Sequence, residues 1–291
     1  MLLISVGNTR TRFAAAGNGD IEPSRVLVNS DPAALTAALV DAARGAPGEA
    51  RAGLPVLIAS VNRPVADRVR QGLESAGVRV YQCGRDVPIP IQTSLPDPST
   101  IGQDRLLDAL GAFWRSKQAC IVIDAGTAVT VDFVDGQGVF HGGAIAPGVA
   151  MMLAALHEKT SGLPLVTLSP ELIPGRGVRP DAHAAHVAAR AGEASGGFDH
   201  PGPEHPGDPP FGKSTQQAIA LGVSASVQGL VRLLIDRYAE FYGAYPRVVA
   251  TGGDAPLLFQ SDPLVEAIVP DLTLVGMLAA VQGIDDFDDA P

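Results

Sequence analysis

The chain has 291 residues, 46% of them hydrophobic, and a formal net charge of −10. That balance speaks against a nucleic-acid partner, because neutralising phosphates takes clustered Lys and Arg. No apolar run reaches the roughly 18 residues of a membrane span, nothing before the first glycine resembles a signal peptide, and Cys83 and Cys120 are too few for a disulfide framework. The expectation is therefore a cytoplasmic protein with no membrane or nucleic-acid partner.

In chain order, LLISV and TRFAAAG read as strands joined by a GNTR turn. DPAALTAALVDAAR follows with an Asp N-cap, proline at the first helical position and helical apolar spacing, which predicts a helix over 31–44. PVLIASV is a short continuous apolar run of the kind found in buried parallel strands. NRPVADRVRQGLESAG is an amphipathic helix and VRVYQCG another strand. DVPIPIQTSLPDPSTIGQDR is too rich in proline for a central strand or helix interior. RLLDALGAFWRSK predicts a helix beginning near Asp104, and CIVIDAGTAVTVDFVDGQGVFHGGAIAPG predicts three successive strands. Cys120, opening the second of these stretches, reads as a small buried hydrophobe. GVAMMLAALHEKTSGLP is a helix. Residues 174–211 are dense in Gly, Pro and Ala and predict a long surface excursion; it carries His183, His186, His200 and His205, in a composition that suits a solvated loop better than a metal site. From Thr215 a long helix shows an apolar stripe at Ala218, Leu221, Ala225, Leu230, Leu233 and Leu234, either intrachain core or a subunit interface. RVVATGGDAPLL is strand, glycine turn and helix start. Strands alternating with helices argue for an α/β fold.

LLISVGNTRTRF and IVIDAGTAVTVDF are the same device twice: an apolar strand, a glycine turn, then an alternating strand. The repeat predicts a duplicated fold with a cleft between the copies, divided as residues 1–117 and 118–291. Such turns offer unobstructed backbone N–H groups and a hydroxyl, which together cradle phosphate. Two residues before the glycine the second copy has Asp124 and the first has Ser5. Burying a carboxylate at Asp124 is expensive unless a cation or a metal-bound phosphate meets it, or turn N–H groups bond it. In the GQDR tetrad, Asp104 is placed either as a proton acceptor, with Arg105 for an anionic group, or simply as a helix N-terminal residue. GKST at 212–215 lacks the upstream glycine and strand of a P-loop.

The order VGNTRT, DPSTIGQDR, DAGTAVTVDFV, GGAIAPG and TGGDA resembles type III pantothenate kinase, a family of the actin, Hsp70 and sugar-kinase-like superfamily of duplicated ribonuclease-H-like domains. The resemblance implies transfer of the ATP γ-phosphoryl group to the primary hydroxyl of pantothenate, the first step towards coenzyme A. It implies Asp104 as the catalytic base, with Gly102, Gln103 and Arg105 lining the pantothenate site and Thr215 reaching the pantothenate of a partner subunit in a homodimer. Ser5, Val6, Gly7, Asn8, Thr9, Arg10 and Thr127 fall at nucleotide-binding positions, and Asp124 at that of the monovalent cation, K+ or NH4+, with Mg2+ accompanying ATP. Two residues depart from the family: Ser5 stands where it carries Asp, and Leu95 where it tends to have Tyr. These departures leave a regulatory nucleotide-binding protein, or a kinase for another hydroxyl acceptor, as alternative expectations; Arg10 and Arg12 flank the first turn and are candidates to meet phosphate directly.

Overall fold

The computed structural model describes residues 1–17, 19–45, 54–173 and 210–288; the excursion predicted at 174–211, apart from Pro210 and Phe211, lies outside them with its four histidines. The chain divides into two compact units, Met1–Gly148 with Leu230–Pro291, and Val149–Gly229.

The first unit holds two sheets. One comprises β1 (Leu2–Val6), β2 (Arg10–Gly17), β3 (Asp20–Ile21), β4 (Arg25–Val28), β5 (Val56–Ser60) and β6 (Val80–Gln82). Helices α1 (Pro32–Arg44) and α2 (Arg63–Ser75) lie between its strands in sequence. Asp31 caps α1 by accepting from the N–H groups of Ala33 and Ala34, and Pro32 stands in the first turn, as the sequence predicted. The second sheet comprises β7 (Gln92–Thr93), β8 (Cys120–Ala125), β9 (Ala128–Val134), β10 (Val139–Pro147), β11 (Arg247–Thr251) and β12 (Ala267–Ile268). Ahead of α3 the proline-rich stretch supplies only β7, a two-residue edge strand, and one 3-10 turn at Pro98–Thr100. The remaining helices are α3 (Gln103–Ser116), α4 (Val149–Glu158), α5 (Thr215–Tyr242), α6 (Ala255–Phe259) and α7 (Leu272–Asp288).

The two sheets repeat one topology. The run β4-β2-β1-β5-β6 matches β10-β9-β8-β11-β12: two antiparallel pairings, then two parallel ones. The glycine hairpins β1-β2 and β8-β9 are equivalent within it, so the repeat seen in a dozen residues extends to five strands of each sheet.

Side-chain alternation then sorts the faces. Leu2, Ile4 and Val6 join Leu35, Leu39, Val69 and Leu73 of α1 and α2 in one core. Leu3, from the opposite face, packs with Leu107 of α3 and with Leu274, Met277 and Leu278 of α7. Cys120 and Val122 of the second sheet pack with Ala109 and Ala112 of α3 and Leu272 of α7. Thus α3 and α7 are a shared layer that both sheets bury against. They approach backbone to backbone: a Cβ at Gly111 would sit 2.8 Å from the Leu272 carbonyl oxygen, and one at Gly276 would collide with the carbonyl of Leu107. The Thr273 hydroxyl donates to Asp108 across the same crossing at 2.7 Å.

In the second unit, α4 buries Val149 and Leu153. Helix α5, which continues into the first unit, buries Ile219, Ala220, Val223, Val227, Val231, Leu234, Ile235 and Ala239. Of the stripe expected from sequence only Leu234 is buried; Ala225 and Leu233 are exposed. Apolar residues also stand off the buried stripe, at Ala218, Leu221, Ala225, Leu230 and Leu233, so spacing alone did not select the inward face. By length and composition α5 is also long and apolar enough to cross a membrane, although polar residues interrupt its apolar runs; 44% of its most apolar 18 residues are buried. Cys83 and Cys120 are free and buried, and burial pushes both thiols up to about 12.

Gly276→Ala is expected to lower stability by about 1–3 kcal/mol, the usual cost of overpacking. Gly222→Ala, on the exposed side of α5 with nothing within 4 Å of the new Cβ, is expected to be neutral or stabilising. Urea unfolding of the two variants measures the contrast.

Candidate functional site

The two glycine turns emerge at the same end of the two sheets and meet: Thr9 Oγ1 lies 3.2 Å from Thr127 Oγ1. Each turn closes on itself, Gly7 N–H donating to the Arg10 carbonyl and Gly126 N–H to that of Ala128, both at 3.0 Å. The first is pinned from behind by buried Asn29 at the end of β4. Its Nδ2 donates to the Gly7 carbonyl and its Oδ1 accepts from Thr11, each at 2.8 Å. Asn62, which caps α2, donates to the carbonyl of Asn8. In the second copy the corresponding position is filled by the TGGDA turn, where Asp254 N–H donates to the Ala125 carbonyl at 2.9 Å. Arg10 reaches toward this turn, its Nη1 3.4 Å from where a Cβ on Gly253 would stand. Of the predicted nucleotide positions, Val6 turns its side chain into the α1–α2 core and presents only backbone to the cleft.

Four carboxylates converge beneath the turns. Asp124 and Asp132 share a face, because their registers place Thr130 opposite Asp124 and Asp132 opposite Val122. Asp104 and Asp108 come one helical turn apart from α3. Asp132 is buried and held by Arg105, which grips it with two guanidinium nitrogens, the Nε bond being 3.0 Å. The anionic partner of Arg105 is therefore within its own chain. Asp108 is buried with the Thr273 hydroxyl as its donor, and burial followed by repulsion from Asp124 drives its carboxyl well above the usual range.

Asp104, in the first turn of α3, accepts the N–H of Arg105 at 2.8 Å, and burial raises its carboxyl despite the Arg105 charge. Asp124 receives no hydrogen bond from the described residues, so the turn N–H groups do not account for it. Burial, then repulsion from Asp104 and Asp132, raises it to about 7, with Arg12 acting in the opposite sense. Gly252, at φ +93°, faces it where any Cβ would run into the Asp124 carboxylate and the Ala125 carbonyl. A bare carboxylate beside a glycine-walled space suits a small cation. No three acidic, His or Cys side chains among the described residues stand close enough together to hold one metal ion, so a divalent ion would have to come with its own phosphate ligands.

Gly102 and Gln103 border a cleft of about 650 Å³ whose walls also include Ser60, Arg63 and Gln82. A Cβ at Gly102 would crowd Asp104 Oδ1 at 2.6 Å, which explains the glycine. Gln103 Nε2 donates to the Cys83 carbonyl at 2.9 Å, tying the start of α3 to the end of β6, while its Oε1 is buried without a partner. Leu95 packs against Gly142 in the second sheet's core. Thr215 begins α5 in the other compact unit. Sequence reading missed Asp108, Asp132, Asn29 and Asn62. Asp132 had left a signal, a carboxylate on the inward register of an otherwise apolar strand.

The profile of the type III pantothenate kinase family matches residues 1–196. Over 215 residues the chain is 38% identical to a type III pantothenate kinase of Rhodopirellula baltica, covering 72% of this chain and 64% of that one. The match to the Rhodospirillum rubrum protein of the same name is 35% over 193 residues, 66% and 61% of the two chains. In both, the match spans less than two thirds of the relative. The Akkermansia muciniphila protein of that name is 30% identical over 280 residues, 96% of this chain and 97% of that one. Among solved structures, a Campylobacter jejuni protein of the Baf family of transcriptional activators superposes with a TM-score of 0.56 at 15% identity, covering 98% of this chain and 100% of that one. The activator of the 2-hydroxyisocaproyl-CoA dehydratase from Clostridium difficile gives 0.50 at 14%, covering 100% and 98%; these two likenesses concern the fold.

Asp132→Asn is expected to destabilise the protein by about 3–5 kcal/mol, because it leaves the Arg105 guanidinium without its counter-charge in a buried setting. Denaturant unfolding at neutral pH checks the size of the loss.

Proposed function

The chain belongs to the type III pantothenate kinase family, and from that premise we propose that it transfers the γ-phosphoryl group of ATP to the primary hydroxyl of pantothenate. The observation that carries the proposal is the meeting of the two glycine turns, Thr9 against Thr127, with Asp104, which follows a glycine at the start of α3, in electrostatic reach of Asp124 at the second turn. Phosphoryl transfer asks mainly for positioning and charge neutralisation. Gly7, Asn8 and Thr9 would hold the nucleotide phosphates by backbone N–H and hydroxyl groups, with Thr127 closing from the second hairpin and Arg10 from the side.

Asp104 would accept the proton of the attacking hydroxyl. A raised carboxyl helps here, since a general base works best with a pKa nearer the operating pH. Gly102, Gln103 and Arg105 would shape the acceptor side, Arg105 through its lock on Asp132. Asp124 would hold the monovalent cation, whose charge relieves the repulsion among the four carboxylates; Mg2+ would arrive with ATP. Thr215 would serve the acceptor site of a second subunit in a homodimer, and the reaction would take place in the cytoplasm.

The test is incubation with ATP, magnesium, potassium and pantothenate, assayed for phosphopantothenate. Asp104→Asn is expected to lose about 10²- to 10⁴-fold in kcat, the usual worth of a general base. The base works only when deprotonated, so activity is expected to fall as pH drops through the raised Asp104 pKa, on the alkaline side of an ordinary aspartate. A pH–rate profile with its acid limb at the unperturbed aspartate value would remove Asp104 from that role.

A further inference from the structure

The duplication lets the two hairpins be compared position by position, and one cross-strand pair beside the turn differs in charge on both strands. In the second, Asp124 stands opposite Thr130. At the equivalent register of the first, Ser5 stands opposite Arg12. One hairpin thus carries a carboxylate on its first strand and a hydroxyl on its second; the other carries a hydroxyl on its first strand and a guanidinium on its second. Alternation places Ser5 on the same face as Leu3, toward α3 and α7, and Arg12 lies beside it on that face.

Arg12 is held in place. Its Nη1 donates to Asp271, just before α7, at 2.8 Å and to the Ser24 hydroxyl at 3.2 Å; Ser24 in turn donates to Asp271 at 2.6 Å. The guanidinium is therefore anchored at the start of the helix that both sheets share. Its Nε and Nη2 make no hydrogen bond among the described residues, and the side chain is 28% exposed. An arginine has a rigid fork of donors matched to phosphate oxygens, and fixing one end leaves the other preorganised. Arg12 already acts on Asp124 in the stabilising sense, and the carboxylates that repel Asp124 and Asp108 are countered otherwise only by Arg105, which is committed to Asp132. A polyphosphate entering that field needs a fixed cation, and the first hairpin, with Ser5, offers no carboxylate to hold one.

We propose that Arg12 is a phosphate-binding residue, supplying from the first hairpin a protein-borne positive charge to the nucleotide's terminal phosphates, so that binding of a nucleoside polyphosphate does not require a divalent ion, Mg2+ being needed for the transfer step. This rests on the phosphate-cradle reading of the turns but not on pantothenate being the acceptor. Ser5 is what leaves the Nε and Nη2 of Arg12 open while Nη1 stays on Asp271: a carboxylate in its place would stand directly opposite and occupy those donors.

The experiment is calorimetric titration of the full chain in EDTA with ADP and, separately, adenosine. Arg12→Gln is expected to weaken ADP by about 10- to 100-fold, the worth of a hydrogen bond to a charged group, with adenosine unchanged; Arg12→Lys recovers part of the loss. Ser5→Asp is expected to weaken metal-free ADP in the same direction, and to make binding more dependent on added Mg2+. Equal ADP affinity in wild type and Arg12→Gln overturns the proposal, as does a parallel loss of adenosine, which would signal a general distortion. If Arg12→Gln does not fold, Ser5→Asp decides alone, and unchanged metal-free ADP affinity there overturns it. Loss of ADP binding in Arg12→Gln alongside a wild type that makes no phosphopantothenate would sustain this inference while defeating the proposed acceptor.

Discussion

Everything in the first unit hangs on the crossing of α3 and α7, where Gly111 and Gly276 let two helix backbones touch. The pair is the common floor of both sheets: Leu107 and Met277 face one, Ala109 and Leu272 the other. Because interiors are packed as densely as organic crystals, a fixed floor fixes what stands on it. The two hairpins are carried by strands packed on this floor, so the distance between their tips is set by helix packing rather than by loops. Asp104 and Asp108 belong to one of the crossing helices, and Asp271 immediately precedes the other. Chemistry and architecture thus share the same few turns of helix.

A second constraint is the concentration of negative charge that this geometry produces. Four carboxylates drawn together out of water repel one another, and each is pushed toward its neutral form. The molecule tolerates this by unequal means. Asp132 is tied to a guanidinium, Asp108 leans on a hydroxyl, Asp104 sits at a helix N-terminus, and Asp124 accepts no hydrogen bond among the described residues, with the Arg12 charge acting in its favour. The least compensated group is the one a cation would most stabilise, and the departure from symmetry at Ser5 and Arg12 shifts positive charge to the opposite hairpin.

The architecture was largely legible because its signals are local. Asp31-Pro32 announces a helix start, continuous apolar runs announce buried strands, and the repeated glycine hairpin announces a duplication whose full extent only the pairing of later strands reveals. Asp104 and Asp124 stood out because a carboxylate at the polar end of an apolar run, or after a glycine at a helix start, is conspicuous in one dimension. Asp132 and Asn29 did not stand out, since their importance lies in partners 27 and 22 residues away. The inward face of α5 was misread for a different reason: apolar residues stand on two neighbouring stripes of the helix, and the sequence reading followed the outer one.

The two buried thiols give each half of the duplication its own clock. Cys83 lies in the core beneath the first sheet and Cys120 in that beneath the second, both wholly inaccessible. A thiolate is the reactive species, so neither sulfur meets a soluble alkylating reagent while its core stays shut. The labelling rate at each position therefore records how often that core opens, and local openings within one protein differ widely in free energy. Labelling of the two at one common rate would mean that the copies come apart together, as partners welded through a shared pair of helices should. Separate rates would mean that one copy breathes while the other stays closed.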